Sequence, residues 1–251
     1  MLPAHRSGGR IIQFSGRRAV NVFIAIPSRQ KPPLRWATPL LFAALWLCFT
    51  WGTLLPANEQ RTLLLEWGAL SGGLTTSLAW REALSDGTLT RLVSALFLHA
   101  DWTHLLGNLV FLLIFGLPAE RAMGPWRFML LFLLGGAVAN LAAVLAISTP
   151  DRLIIGASGA VSALIGAYLA LFPGARLGVV VPLGLFLQFV KVPAPLLIGV
   201  WALLQVVFTY IGPAFGAVAW SAHLAGFAFG GLFALIAKAG IARRLRRRRG
   251  Y

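Results

Sequence analysis

Charge is what this chain has least of. Only 12% of its 251 residues are Asp, Glu, Lys or Arg, and just seven of those are acidic, whereas an ordinary soluble domain carries about 25% charged residues. So few charges cannot clothe a water-facing surface, and a soluble globular fold is excluded. A single cysteine, Cys48 in an apolar run, excludes an internal disulfide and a cysteine metal cluster. The N-terminal basic residues are not followed by a short apolar segment with a small-residue cleavage site, so residues 1–35 are expected to remain as a basic arm. Within the apolar runs no Asp, Glu, Lys or Arg falls near mid-depth. Proton-coupled transporters and ion pumps usually need such a group, so that class is disfavoured.

What the chain has in excess is apolar sequence: 58% hydrophobic residues and a mean hydropathy of +0.79. Crossing a hydrocarbon core takes about 20 mostly apolar residues, and six runs qualify or nearly do: 37–55, 105–118 with a polar lead-in from 99, 126–147, 153–172, 194–211 and 217–237. The expected fold is therefore all-α, a polytopic membrane protein with a six-helix bundle over residues 36–240 and a basic tail over 241–251. Residues 56–90 mix Glu and Arg with Leu, Trp and Gly and are expected to be a partly embedded first loop. Residues 177–190 are apolar but too short to cross and are expected to lie at the interface.

The net charge of +15, from 22 Lys and Arg against seven acids, would suggest nucleic acid in a soluble chain. In a membrane chain it reports orientation. With the N-terminus inside, 18 of the 22 basic residues fall on the inner side and four (Arg61, Arg81, Arg91, Arg152) on the outer. Both termini are then cytoplasmic, and the asymmetry fits a multi-pass protein of a bacterial inner membrane. The Arg-rich tail reads as an anchor drawn to anionic membrane lipids, with no nucleic-acid partner.

The polar residues among the apolar runs are His99, His104, Asn108, Asn140, Ser158, Ser162, Gln188, Gln205 and His223. His104 and Asn108 are four residues apart, on one face of a helix entering from outside. Ser158 lies a similar distance into the fourth span. His223 is six residues into the sixth, about 9 Å at 1.5 Å per residue. Four polar side chains from three spans thus share one depth. Ser158, flanked by Gly156 and Gly159, is a hydroxyl that a carbonyl carbon can approach. Its proton needs a base, for which His223 has the right depth. His104, Asn108 and the Ser158 amide can donate to an oxyanion. No buried Asp is available, so the economical reading is a Ser-His dyad. The competing readings are small-residue helix packing around the glycines, interhelical hydrogen bonding by Asn140, a non-proteolytic adaptor that binds transmembrane helices, and a metal or haem site built on His99, His104 and His223. The last lacks carboxylate or cysteine partners.

These residues resemble the rhomboid family of intramembrane serine proteases over roughly residues 91–236. Arg91 precedes His99-Ala-Asp-Trp-Thr-His104-Leu-Leu-Gly-Asn108, which has the H-x4-H-x3-N spacing. Glu120-Arg-Ala-Met-Gly124 is similar to the E-x3-G that closes the second span. Gly156-Ala157-Ser158-Gly159 and Ala222-His223-Leu-Ala-Gly226-Phe-Ala-Phe-Gly230 follow in order. The resemblance implies Ser158 as nucleophile, His223 as general base, and His104 and Asn108 in the oxyanion hole. His99, Gly156, Gly159, Arg91 and Glu120 would be supporting residues, with Gly226 and Gly230 bringing the sixth span against the fourth. It also implies substrates that are single-span transmembrane proteins, a side entrance and cap formed by the fifth span and residues 211–217, and no metal or organic cofactor. Two positions depart from patterns seen in some members. Thr90 stands where a Trp precedes the arginine. Ser162 stands where a Tyr packs against the base, which leaves the orientation of His223 without an assigned partner.

Overall fold

The computed structural model describes residues 35–249 apart from 73, 75, 148, 150, 184, 185 and 212–219. The expected basic arm, up to residue 34, and the cap loop beyond residue 211 lie outside the described residues. In chain order the elements are α1 (Ala37–Thr53), α2 (Ala57–Trp67), β1 (Ala69–Leu70), α3 (Ser77–Ser85), α4 (Arg91–Ser94), α5 (Trp102–Phe111), α6 (Leu117–Met123), α7 (Pro125–Ala146), β2 (Leu153–Ile154), α8 (Ser158–Leu171), the strands β3 (Arg176–Leu183) and β4 (Phe186–Pro193), α9 (Ala194–Ile211) and α10 (Trp220–Arg249). Each of the six apolar runs contains a helix among its described residues. Three helical segments, Trp102–Met123, Pro125–Ala146 and Trp220–Arg246, are long and apolar enough to cross a membrane by themselves, and α1, α8 and α9 contribute shorter apolar helices. The chain is an all-α polytopic membrane protein.

The helix α8 is the axis of the bundle. All ten residues from Gly159 to Tyr168 are buried, and a helix apolar all round must be enclosed by others. Its small residues allow that enclosure. A Cβ on Gly226 of α10 would overlap the carbonyl oxygen of Gly159, and one on Gly230 would overlap that of Ala163. On the other side, a Cβ on Gly135 of α7 would lie 2.5 Å from the Ala163 Cβ. Backbones therefore meet directly along both seams, where dispersion and interhelical contact take the place of a hydrophobic drive that lipid does not supply.

The second run is not one regular helix. Between α5 and α6, residues Leu112–Gly116 form a π-helical turn. Pro118 follows at the start of α6; it has no N–H to donate, and a wider turn accommodates the missing bond. At the far end Glu120, 1% exposed, accepts the Ala37 amide at 3.0 Å, the Thr38 amide at 2.9 Å and the Thr38 hydroxyl at 2.7 Å. A carboxylate thus satisfies the orphan donors that open α1 and faces the positive end of its dipole. Glu120→Gln places an amide N–H₂ against those donors and is expected to cost about 2 kcal/mol, read as a Tm lower by about 4–8 °C in detergent. An unchanged Tm would show that the contact contributes nothing to stability.

The loop over 56–90 folds into α2, β1 and α3, which expose Leu65, Trp67, Leu78 and Leu84. Ser71 ties it to the connection between α7 and α8: its amide donates to Arg152 O at 3.0 Å, its hydroxyl to Thr149 O at 2.5 Å, and the Arg152 amide returns to the Ser71 hydroxyl at 3.0 Å. Nearby, the Thr88 amide donates to Asp86 at 2.8 Å, which holds that carboxyl below its usual range. The segment 177–190, expected to lie at the interface, forms most of an antiparallel hairpin in which Arg176 pairs with Pro193 and Val180 with Phe189. Its Val and Phe content suits strands, and cross-strand pairing satisfies backbone groups that a 14-residue apolar coil would leave open.

Candidate active site

Two backbone features aim Ser158. The chain reaches it through Gly156, whose φ of +111° suits glycine, and Ser158 is then the first residue of α8. Its hydroxyl sits at the positive end of the buried central helix, where developing negative charge is stabilised. With 14 residues, α8 is about 21 Å long at 1.5 Å per residue, shorter than a hydrocarbon core of about 30 Å.

His223 lies in the first turn of α10 and meets Ser158 directly: Nε2 is 2.9 Å from Oγ. On the other side of the ring, Nδ1 is 2.7 Å from Oε1 of Gln205 on α9. Trp220 stands edge-on to the imidazole, with ring centroids 5.9 Å apart at 90°. Serine, histidine and amide thus form a chain of hydrogen bonds across three helices. Ser162 takes no part on the ring side, because its hydroxyl donates to the Ser158 carbonyl at 2.7 Å.

His104 packs against the turn that precedes the serine. A Cβ on Gly156 would lie 2.5 Å from its Cε1 and 2.6 Å from its Nε2, so only glycine leaves room for the ring there. The start of α5 is fixed by Asp101, whose carboxylate accepts the His104 amide at 2.8 Å as an N-cap. Asn108 is buried, and one of its amide hydrogens goes to the His104 carbonyl at 3.0 Å; the NH₂ group has a second hydrogen to give. His99 was expected at the entry of the second span. There, just ahead of α5, it accepts the Ala157 amide on Nε2 at 3.4 Å and stands 5.1 Å from the His104 ring, next to the turn before Ser158.

The structure therefore brings Ser158, His223, His104, His99 and Gly156 into one cluster, with Asn108 on the helix beneath His104. Gly159, Gly226 and Gly230 form the seam that sets α10 against α8. Arg91 and Glu120 are elsewhere. Arg91 donates to the Leu65 carbonyl at 3.3 Å within the first loop, and Glu120 holds the start of α1. Asn140 donates to Leu92 O at 2.8 Å, tying α7 to α4, and Gln188 lies exposed on β4. Gln205 is the site neighbour to which the sequence assigned no role. Its depth was a usable signal, because it sits six residues before the end of the fifth run just as His223 sits six residues into the sixth.

A helical bundle that holds a serine and a histidine in hydrogen-bond contact at the start of its central helix defines a class: polytopic membrane proteins with a serine–histidine pair between their helices. A family profile described as the Rhomboid domain matches residues 86–239, and the chain belongs to the rhomboid family. It is similar to RHOMBOID-like protein 5 of Arabidopsis thaliana, 29% identical over 163 residues that cover 57% of this chain and 53% of that protein. It is also similar to Rhomboid-like protease 3 of Toxoplasma gondii, 39% identical over 112 residues covering 45% and 38%, and to Rhomboid-related protein 1 of Caenorhabditis elegans, 40% identical over 84 residues covering 34% and 23%. The chain spans about half the length of the first of these and less of the others.

Proposed function

We propose that the protein is an intramembrane serine endopeptidase that cleaves single-span transmembrane proteins near the outer face of the membrane. The observation that carries the reading is the 2.9 Å contact between His223 Nε2 and Ser158 Oγ, made at a helix start inside the bundle. A substrate helix must first unwind, since a helical peptide bond is shielded by its own turn. Ser158 then attacks the exposed carbonyl carbon while His223 takes the hydroxyl proton. The tetrahedral oxyanion forms at the N-terminus of α8, where the Ser158 amide, the second Asn108 N–H and His104 can donate to it. Protonated His223 returns its proton to the leaving amine, and water hydrolyses the acyl-enzyme by the reverse sequence. The bacterial inner membrane and cytoplasmic termini belong to the same proposal, supported by the 18-to-4 distribution of basic residues about the six runs.

The test is covalent labelling of the purified protein by a fluorophosphonate probe, with the modified residue mapped by mass spectrometry. Labelling at Ser158, with cleavage of a reporter single-span substrate in liposomes, is expected. A folded protein that binds the substrate helix but is neither labelled nor able to cut it would be an adaptor and would overturn the proposal. Asn108→Ala is expected to lower kcat by about 10- to 1,000-fold through loss of an oxyanion donor, with KM nearly unchanged. An unaltered kcat would remove Asn108 from the oxyanion hole.

A further inference from the structure

Among the described residues, few polar groups can reach the far side of the His223 ring. Neither α8, α9 nor α10 contains an Asp or Glu, so no carboxylate on the three helices that meet at the dyad can orient the base. The Ser162 hydroxyl is committed to the Ser158 carbonyl. What meets Nδ1 is the side-chain oxygen of Gln205 at 2.7 Å, and Gln205 is 6% exposed. Its place on α9 is informative. Ala194 and Ile198 are buried in the core, Trp201 packs on Phe227 of α10 with centroids 5.7 Å apart, and Phe208 stacks on Trp220 at 4.8 Å. Positions 194, 198, 201, 205 and 208 form one helical stripe. Gln205 is its only polar member, at a place where a Leu or Met would bury equally well and where an amide is costly without a hydrogen bond.

We infer that Gln205 is a positioning residue for His223, whose amide oxygen holds the proton on Nδ1 and so leaves the Nε2 lone pair facing the Ser158 hydroxyl. A carbonyl oxygen has no hydrogen to give, so the 2.7 Å contact requires Nδ1 to be the donor. In the other tautomer Nε2 would carry the hydrogen and could not accept the serine proton. An amide thus does for this ring what a buried aspartate does in a Ser-His-Asp triad, without a formal charge inside the span. It also answers what orients the base when position 162 is a serine. The inference rests on His223 acting as the base.

Three measurements on the full-length protein test it. In Gln205→Met, which keeps size and apolarity, kcat for the reporter substrate is expected to fall about 10- to 100-fold with KM within about 3-fold. That is less than the roughly 10⁴-fold lost on removing a triad aspartate, because no charge is lost. The rate of Ser158 labelling by the small fluorophosphonate is expected to fall by the same factor. Gln205→Glu, which keeps an oxygen acceptor, is expected to hold the labelling rate within about 3-fold of the parent. The ¹⁵N imidazole resonances of His223, assigned by their absence in His223→Phe, are expected to show a protonated Nδ1 in the parent and a mixture of tautomers in Gln205→Met. A raised KM with unchanged kcat and labelling would make Gln205 a substrate contact and overturn the inference, as would equal loss in folded Met and Glu variants. A parent that is never labelled at Ser158 would instead refute the protease reading, while the tautomer measurement would still decide the role of Gln205.

Discussion

Replacing Ser158 by alanine, or His223 by alanine, is expected to lower cleavage of a reconstituted single-span substrate by about 10⁴-fold or more. The two variants lose different things. Ser158→Ala removes the atom that forms the bond to the carbonyl carbon. His223→Ala keeps that atom but leaves its proton without an acceptor, because the described neighbours of Ser158 Oγ offer no second base: His104 is packed against Gly156, and Gln205, which meets the other side of the imidazole, is a neutral amide that takes up no proton. Since the pair acts as a unit, the double variant should be scarcely worse than either single one. Both substitutions shorten a side chain at the start of a helix rather than within the Gly seam, so the proteins are expected to fold. Retention of Tm beside loss of cleavage is the result that counts. Cleavage at the parental rate by either variant would sink the assignment.

Why so much of this site was legible before the fold was known follows from the membrane. Lipid penalises an unpaired polar group, so nine polar residues scattered through apolar runs were already a short set of candidates. The distribution of basic charge then gave each run a direction, and direction converts sequence position into depth. Ser158, His223, His104 and Asn108 were grouped by that argument; the structure brings the first three to one end of α8, with Asn108 one turn along α5 from His104. Depth is one coordinate only, and it carries no information on the azimuth of a helix. Gln205 had the correct depth, yet nothing in a run of Leu, Val and Phe revealed that its face turns toward α10. The partners of Glu120 were hidden for the complementary reason: it was named by its motif, but its three donors come from α1, more than 80 residues away in sequence. The hairpin of β3 and β4 was missed because a short apolar stretch, read by hydropathy, has no sign of period. Its Val-Val-Val and Phe content carried the strand signal instead.

Gly230→Val is expected to abolish activity from a distance, and Gly231→Ala is expected to be tolerated. A Cβ at Gly230 would overlap the carbonyl oxygen of Ala163, and it would also lie 2.5 Å from that residue's carbonyl carbon and 2.7 Å from its Cα. All three are backbone atoms of the central helix, so no rotamer change relieves the overlap and α10 must move outward. His223 is seven residues earlier on the same helix, two turns away and nearly on the same face, so the displacement is transmitted to its ring. The Nε2 to Oγ contact of 2.9 Å has little slack, and a misplacement of about 1 Å can cost about 100-fold in rate. Overpacking of this kind costs at least about 1–3 kcal/mol in stability as well, so a lowered Tm is expected beside a labelling rate of Ser158 reduced by about 100-fold or more. At Gly231 the nearest atom to a new Cβ is the Gly166 carbonyl oxygen at 3.8 Å, an ordinary contact, and alanine favours the helix. That variant should cleave within about 3-fold of the parent. If the two substitutions behaved alike, close approach of α10 to α8 would not be what sets His223 on Ser158.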